Sequence, residues 1–131
     1  MKPSDVDMRF DHVSVCVSDL DAARQFYCDL LTFEEVERPA FEFDGVWLKV
    51  SGMPVHLTTG GFRRGGGSPQ SPADPHFAVA VPAAGDLDEL VDSWRERGVD
   101  VFELENSPAA ERQYFVTDPD GNMIEFCSYG A

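Results

Sequence analysis

The chain has 131 residues, 43 % of them hydrophobic and 26 % charged, which is the size of one compact domain with a core of its own. Twenty-four acidic against ten basic residues leave a net charge of −14, a field that repels phosphate backbones and anionic lipid, so neither a nucleic-acid nor a membrane-surface role is expected. No apolar run approaches the roughly 20 residues of a membrane helix, and Cys16, Cys28 and Cys127 show no C-x-x-C spacing; the chain reads as a cytoplasmic protein with neither a disulfide framework nor a zinc ribbon.

Phe10 to Val17 alternates apolar with small or polar residues, the period of a strand. Ser18-Asp19 then caps a predicted amphipathic helix running to about Leu31, with Leu20, Ala23, Phe26, Tyr27 and Leu30 on one face. Short strands are predicted at Phe33 to Arg38, Gly45 to Val50 and Pro54 to Thr59. The stretch Gly60 to Asp74 is rich in Gly, Pro and Ser and reads as a loop; its glycines match neither a Rossmann fingerprint nor a P-loop. The order then repeats: a strand at Pro75 to Val81, a helix at Gly85 to Arg97 stopped by Gly98, and strands at Val99 to Leu104, Gln113 to Thr117 and Asn122 to Ser128. Asp118-Pro119-Asp120-Gly121 supplies a tight turn before the last strand. Aligning His12 with His76 aligns helix with helix, so a single α+β domain of two βαβββ modules is expected, about 8–59 and 75–128, joined by loop 60–74.

The strand phases locate the chemistry. Val13, Val15 and Val17 oppose His12, Ser14 and Cys16; Val55 and Leu57 oppose His56 and Thr58; Phe77 and Val79 oppose His76 and Ala78; Ile124 and Phe126 oppose Glu125 and Cys127. Four times the bulky residues share one face, expected to lie under the helices, and the other face carries one ionisable residue among small ones. A single strand histidine is more often a hydrogen-bonded or solvated residue than a ligand. Here His12 and His76 are equivalent in the repeat, as are His56 and Glu125, and three imidazoles with a carboxylate are a competent donor set for Zn, Ni, Fe, Mn or Co.

Asp11-His12-Val13, Val17-Ser18-Asp19-Leu20, Phe26-Tyr27, Pro75-His76-Phe77-Ala78 and Asp118-Pro119-Asp120-Gly121-Asn122 leading to Ile124-Glu125 resemble the vicinal oxygen chelate superfamily. This group comprises the glyoxalases, methylmalonyl-CoA epimerases, extradiol dioxygenases, fosfomycin-resistance transferases and bleomycin-binding proteins, and the resemblance runs from Phe10 to Ser128. It implies mixed sheets curved around one metal site with helices on the outer faces, and carries the ligand roles onto His12, His76 and Glu125. Glyoxalase I and the epimerases place a fourth ligand, usually Glu or Gln, where this chain has His56. The resemblance also implies a homodimer, in some members with each site built from one module of either chain.

The favoured function is a divalent-metal-dependent lyase or isomerase of the glyoxalase type, acting on a small molecule with vicinal oxygens, with Glu125 as the one ligand carboxylate available as a base. A dioxygenase would use His12, His76 and Glu125 on iron but lacks a spare histidine for acid–base work. A fosfomycin-type transferase needs three ligands, and a bleomycin-resistance-like binder needs no complete ligand set. Trp47, Lys49, Arg112 and Phe115 are further pocket candidates. Arg63 and Arg64 are two of the ten basic residues and are placed to meet an acidic substrate, although a solvated loop is the commoner setting for such a pair.

Overall fold

The structure, a computed structural model, describes residues 1–61, 65 and 71–130; Arg63 and Arg64 lie outside them. The elements are β1 (Val13–Cys16), α1 (Leu20–Arg24), β2 (Glu34–Val36), β3 (Gly45–Val50), β4 (Met53–Thr58), β5 (His76–Ala80), α2 (Ala84–Glu96), β6 (Phe102–Glu103), β7 (Arg112–Thr117) and β8 (Met123–Ser128). They form two four-stranded sheets, ordered β1-β4-β3-β2 and β5-β8-β7-β6. In each, the first and last strands of the module run parallel and the remaining pairs antiparallel, so the expected βαβββ repeat is the fold.

Four elements depart clearly from the predicted bounds. The first strand begins at Val13 rather than Phe10: Val13 pairs with Val55, so His12 would next meet Pro54, which has no N–H for a ladder. The first helix does not run as an α-helix to Leu31. Asp19 caps it by accepting from the amides of Asp21 and Ala22, but beyond Arg24 the chain widens into a π-helix over Gln25–Leu30, closed by the Leu31 amide on the Phe26 carbonyl at 3.0 Å. The outer strands β2 and β6 are shorter than predicted, having a partner on one side only.

One core serves both modules. Ala23, Tyr27 and Val55 of the first module and Leu87, Trp94 and Phe126 of the second are in a single buried cluster. Trp94 Nε1 donates to the Leu30 carbonyl at 3.2 Å, which ties the two helical segments together. Each sheet therefore turns its β-branched and leucine side chains toward the helices and leaves its other face without helical cover.

The turn before β8 clamps the modules. Asp118, 3 % exposed, accepts at Oδ1 from the amides of Asp120 and Asn122, both at 2.9 Å. Its Oδ2 accepts from the buried Tyr27 hydroxyl at 2.8 Å and from Asn122 Nδ2 at 2.9 Å. Asn122 Nδ2 also donates to the Cys16 carbonyl, and Asp120 Oδ2 accepts from the Ser18 amide, each at 2.9 Å. Burial and the neighbouring Asp118 carboxylate hold the Tyr27 phenol well above its ordinary range, so it stays a donor at any physiological pH.

Candidate metal centre

The register makes the two uncovered faces equivalent. In the first sheet Ser14, His56 and Trp47 lie side by side across β1, β4 and β3; in the second, Ala78, Glu125 and Phe115 do so across β5, β8 and β7. His56 thus answers to Glu125 and Trp47 to Phe115, with His12 and His76 two positions before Ser14 and Ala78.

On the first sheet three rings form a pile. Trp47 stacks on His56 with centroids 4.0 Å apart and planes 4° from parallel, and His12 stacks on the other side of His56 at 4.2 Å. Burial pushes the His56 imidazole below its usual range, with the adjacent His12 and the Arg38 charge acting in the same direction and Asp11 against them. A neutral imidazole is the form that binds a metal. His12 Nδ1 lies 2.7 Å from Asp11 Oδ2, and that hydrogen bond holds the Asp11 carboxyl below the usual carboxylate range. Since an ionised carboxylate only accepts, Nδ1 carries a proton, and Nε2 is the nitrogen left to meet a metal.

The second sheet repeats the device with a backbone group. His76 Nδ1 lies 2.7 Å from the Asp74 carbonyl, an acceptor, so this nitrogen again carries the proton. His76 Nε2 then faces Glu125 Oε1 at 3.2 Å on a carboxylate only 8 % exposed. With His76 neutral, a nitrogen lone pair and a carboxylate oxygen oppose each other. A cation between them, or a proton on the ring or on the carboxyl, makes that contact favourable. The donor set and its orientation therefore fit a divalent ion. Phe115 closes the edge of His76 at 5.4 Å.

The four candidate ligands are nevertheless gathered as two pairs, His12 with His56 and His76 with Glu125. Among the described residues no group of three or more His, Cys, Asp or Glu is close enough to share an ion. Of the remaining candidates, Trp47 and Phe115 are on the ligand faces, and Lys49 shares the Trp47 face but is exposed. Arg112 is not beside Phe115: it lies on the helix side of β7, where its Nε donates to Asp88 of α2 at 3.0 Å and Tyr114 donates to the same carboxylate at 2.6 Å. Arg112→Ala is accordingly expected to lower Tm slightly and to leave ion uptake at its original level, measured by thermal melts and elemental analysis. The residues that orient the imidazoles were missed. Asp11 had a signal, being adjacent to His12; Asp74 had none, because it acts through its backbone carbonyl.

Comparison with known proteins agrees with the fold. The sequence profile of the Glyoxalase/Bleomycin resistance protein/Dioxygenase superfamily matches residues 9–126. The chain is 29 % identical over 131 residues to "Glyoxylase I 4" of Arabidopsis thaliana, spanning 90 % of this chain and 69 % of the plant protein. A protein assigned to the glyoxalase family from Bacillus anthracis superposes with a TM-score of 0.78 at 24 % identity, over 95 % of this chain and 97 % of that one. A point mutant of the fosfomycin resistance protein FosX from Listeria monocytogenes, solved with Mn(II) and 1S,2S-dihydroxypropylphosphonic acid, superposes with a TM-score of 0.77 at 17 % identity, over 96 % of this chain and 95 % of that one.

Proposed function

The chain belongs to the Glyoxalase/Bleomycin resistance protein/Dioxygenase superfamily, and from that membership we propose that it is a divalent-metal-dependent, glyoxalase-like lyase or isomerase acting on a small molecule with vicinal oxygens. The observation that carries this reading is the approach of His76 Nε2 to Glu125 Oε1, two ligand-type atoms 3.2 Å apart, with the other ring nitrogen already committed to the Asp74 carbonyl. When bound, the ion (Zn, Ni, Fe, Mn or Co) serves as a Lewis acid toward two neighbouring substrate oxygens. The protein orients the imidazoles through Asp11 and Asp74 and flanks the substrate with Trp47 and Phe115. Glu125 is the carboxylate positioned to take a carbon-bound proton.

Because the ligands stand as two pairs, the reading includes a homodimer in which His12 and His56 of one chain meet His76 and Glu125 of the partner. Three cysteines without disulfides and the absence of any helix long and apolar enough to cross a membrane among the described residues accord with a cytoplasmic place of action. Elemental analysis after reconstitution should find one divalent ion per chain, and sedimentation at micromolar concentration a dimer. A panel of hemithioacetals, catechols and fosfomycin should show turnover with the first. Metal-free protein in excess metal would end the enzyme reading, and a monomer would end the shared site.

A further inference from the structure

On the uncovered face of the first sheet a second row of residues follows the ligand row. Gly45, Thr58 and Cys16 are side by side across β3, β4 and β1, two residues along from Trp47, His56 and Ser14. That step is about 7 Å. Since Val36 pairs with Trp47, the strand direction carries Arg38 to this row, over Gly45. A Cβ on Gly45 would lie 2.9 Å from Arg38 Nε and 3.0 Å from Nη2, so the guanidinium occupies the space that glycine leaves. It is covered by Phe41 and Phe43, whose centroids are 4.9 and 5.2 Å from Cζ. Nη2 donates to the Phe43 carbonyl at 2.8 Å, while Nε is buried without a partner.

No carboxylate neutralises Arg38 among the described residues, although the chain carries a net charge of −14; Arg24 and Arg112, by contrast, both have carboxylate partners. The second module lacks the arrangement. Phe102 pairs with Phe115 as Val36 does with Trp47, and this places Leu104 and Gln113 where the first module has Arg38 and Gly45. The arginine and the glycine that makes room for it therefore occur together, in one module only.

We propose that Arg38, through the Nη edge of its guanidinium, binds an oxyanion of the substrate, a carboxylate or a phosphonate, attached close to the oxygens held at the ligand row. The inference rests on the reading of that face as the substrate site. A guanidinium packed between the two rings and the glycine can offer paired N–H groups that match such an anion.

The test uses the full chain stripped of metal by chelation and followed by the arginine Nε–Hε resonances in 1H–15N spectra. Glycolate and hydroxymethylphosphonate are the probes, and ethylene glycol is the neutral control. Both anions should shift the Arg38 resonance and the diol should not; the tighter of the two identifies carboxylate or phosphonate as the preferred group. Arg38→Met should weaken binding at least about tenfold, and Arg38→Lys should fall between, since it keeps the charge and loses the fork. Amide resonances away from residues 38–45 report that each variant is folded. A silent Arg38 resonance, or equal affinity in the methionine variant, overturns the subsite. Metal uptake measured on the same samples keeps the two readings apart: an Arg38 that responds in a protein that takes up no metal leaves the subsite standing and removes the metalloenzyme.

Discussion

Asp118→Ala is expected to cost roughly 3–5 kcal/mol of stability, the range for removing one partner from a buried hydrogen-bonded network that includes a charge. For a chain of this length that lowers Tm by about 10–20 °C. The substitution strips acceptors from two backbone amides, from Asn122 Nδ2 and from the Tyr27 hydroxyl. Tyr27 is fully buried, so its hydroxyl would be left without a partner in the core. Tyr27→Phe removes one hydrogen bond and leaves Asp118 with the other three, and is expected to cost about 1–2 kcal/mol. Asp118→Asn is expected to resemble alanine more than wild type, because an amide N–H in place of Oδ2 leaves the Tyr27 hydroxyl proton without its acceptor and meets Asn122 Nδ2, itself a donor. Urea titration of the three variants gives the order. A loss below about 1 kcal/mol in Asp118→Ala would show that the shared core, rather than this turn, holds the modules together.

The turn also marks how far the sequence could be read. Its tight geometry was legible from Asp-Pro-Asp-Gly, but its partners were not: Tyr27, Ser18 and Cys16 lie about a hundred positions earlier and are joined to it only by the packing of one module on the other. The same division holds at the site. Alternation along four strands placed His12, His56, His76 and Glu125 on faces opposite the bulky residues, because a side-chain period of two is a local property. Which of the four would stand together depends on how the sheets meet, and no local pattern encodes that. Tyr114 and Phe115 alternate along β7, and both are apolar enough for either face. Their assignment came from Asp88 on α2, which draws Tyr114 and Arg112 to the helix side. Arg38 closed a predicted strand and gave no signal. Its position acquires meaning from Gly45 on the neighbouring strand and from the two phenylalanines that cover it.

The ligand substitutions carry the other large expected effect. His12→Ala and Glu125→Ala should each weaken divalent-metal binding at least about 100-fold, since each removes a donor whose loss is not replaced. Competition against a chromophoric chelator measures this. His56→Ala separates two first-order possibilities. With His56 as a fourth ligand, the set carries one negative charge against the two of the ion. The site then stays near +1, more electrophilic than one with two carboxylates and suited to holding an anionic or enolisable oxygen pair; affinity should fall in this variant too. Unchanged affinity in His56→Ala, beside its loss in His12→Ala, would make the site a three-ligand one and move the oxygenase and transferase readings ahead. The location of the site is then decided by mixing. A dimer of one His12→Ala chain and one Glu125→Ala chain, isolated through two different tags, has one site with both lesions and one with none if each site draws on both chains. If each site lies within one chain, both sites are damaged. The two pairs seen here, one on each sheet and with no third ligand-type side chain close enough to share an ion among the described residues, lead us to expect the first outcome. The mixed dimer should bind one ion at wild-type affinity while neither parent binds any under the same conditions, and a mixed dimer as empty as its parents would return the site to a single chain.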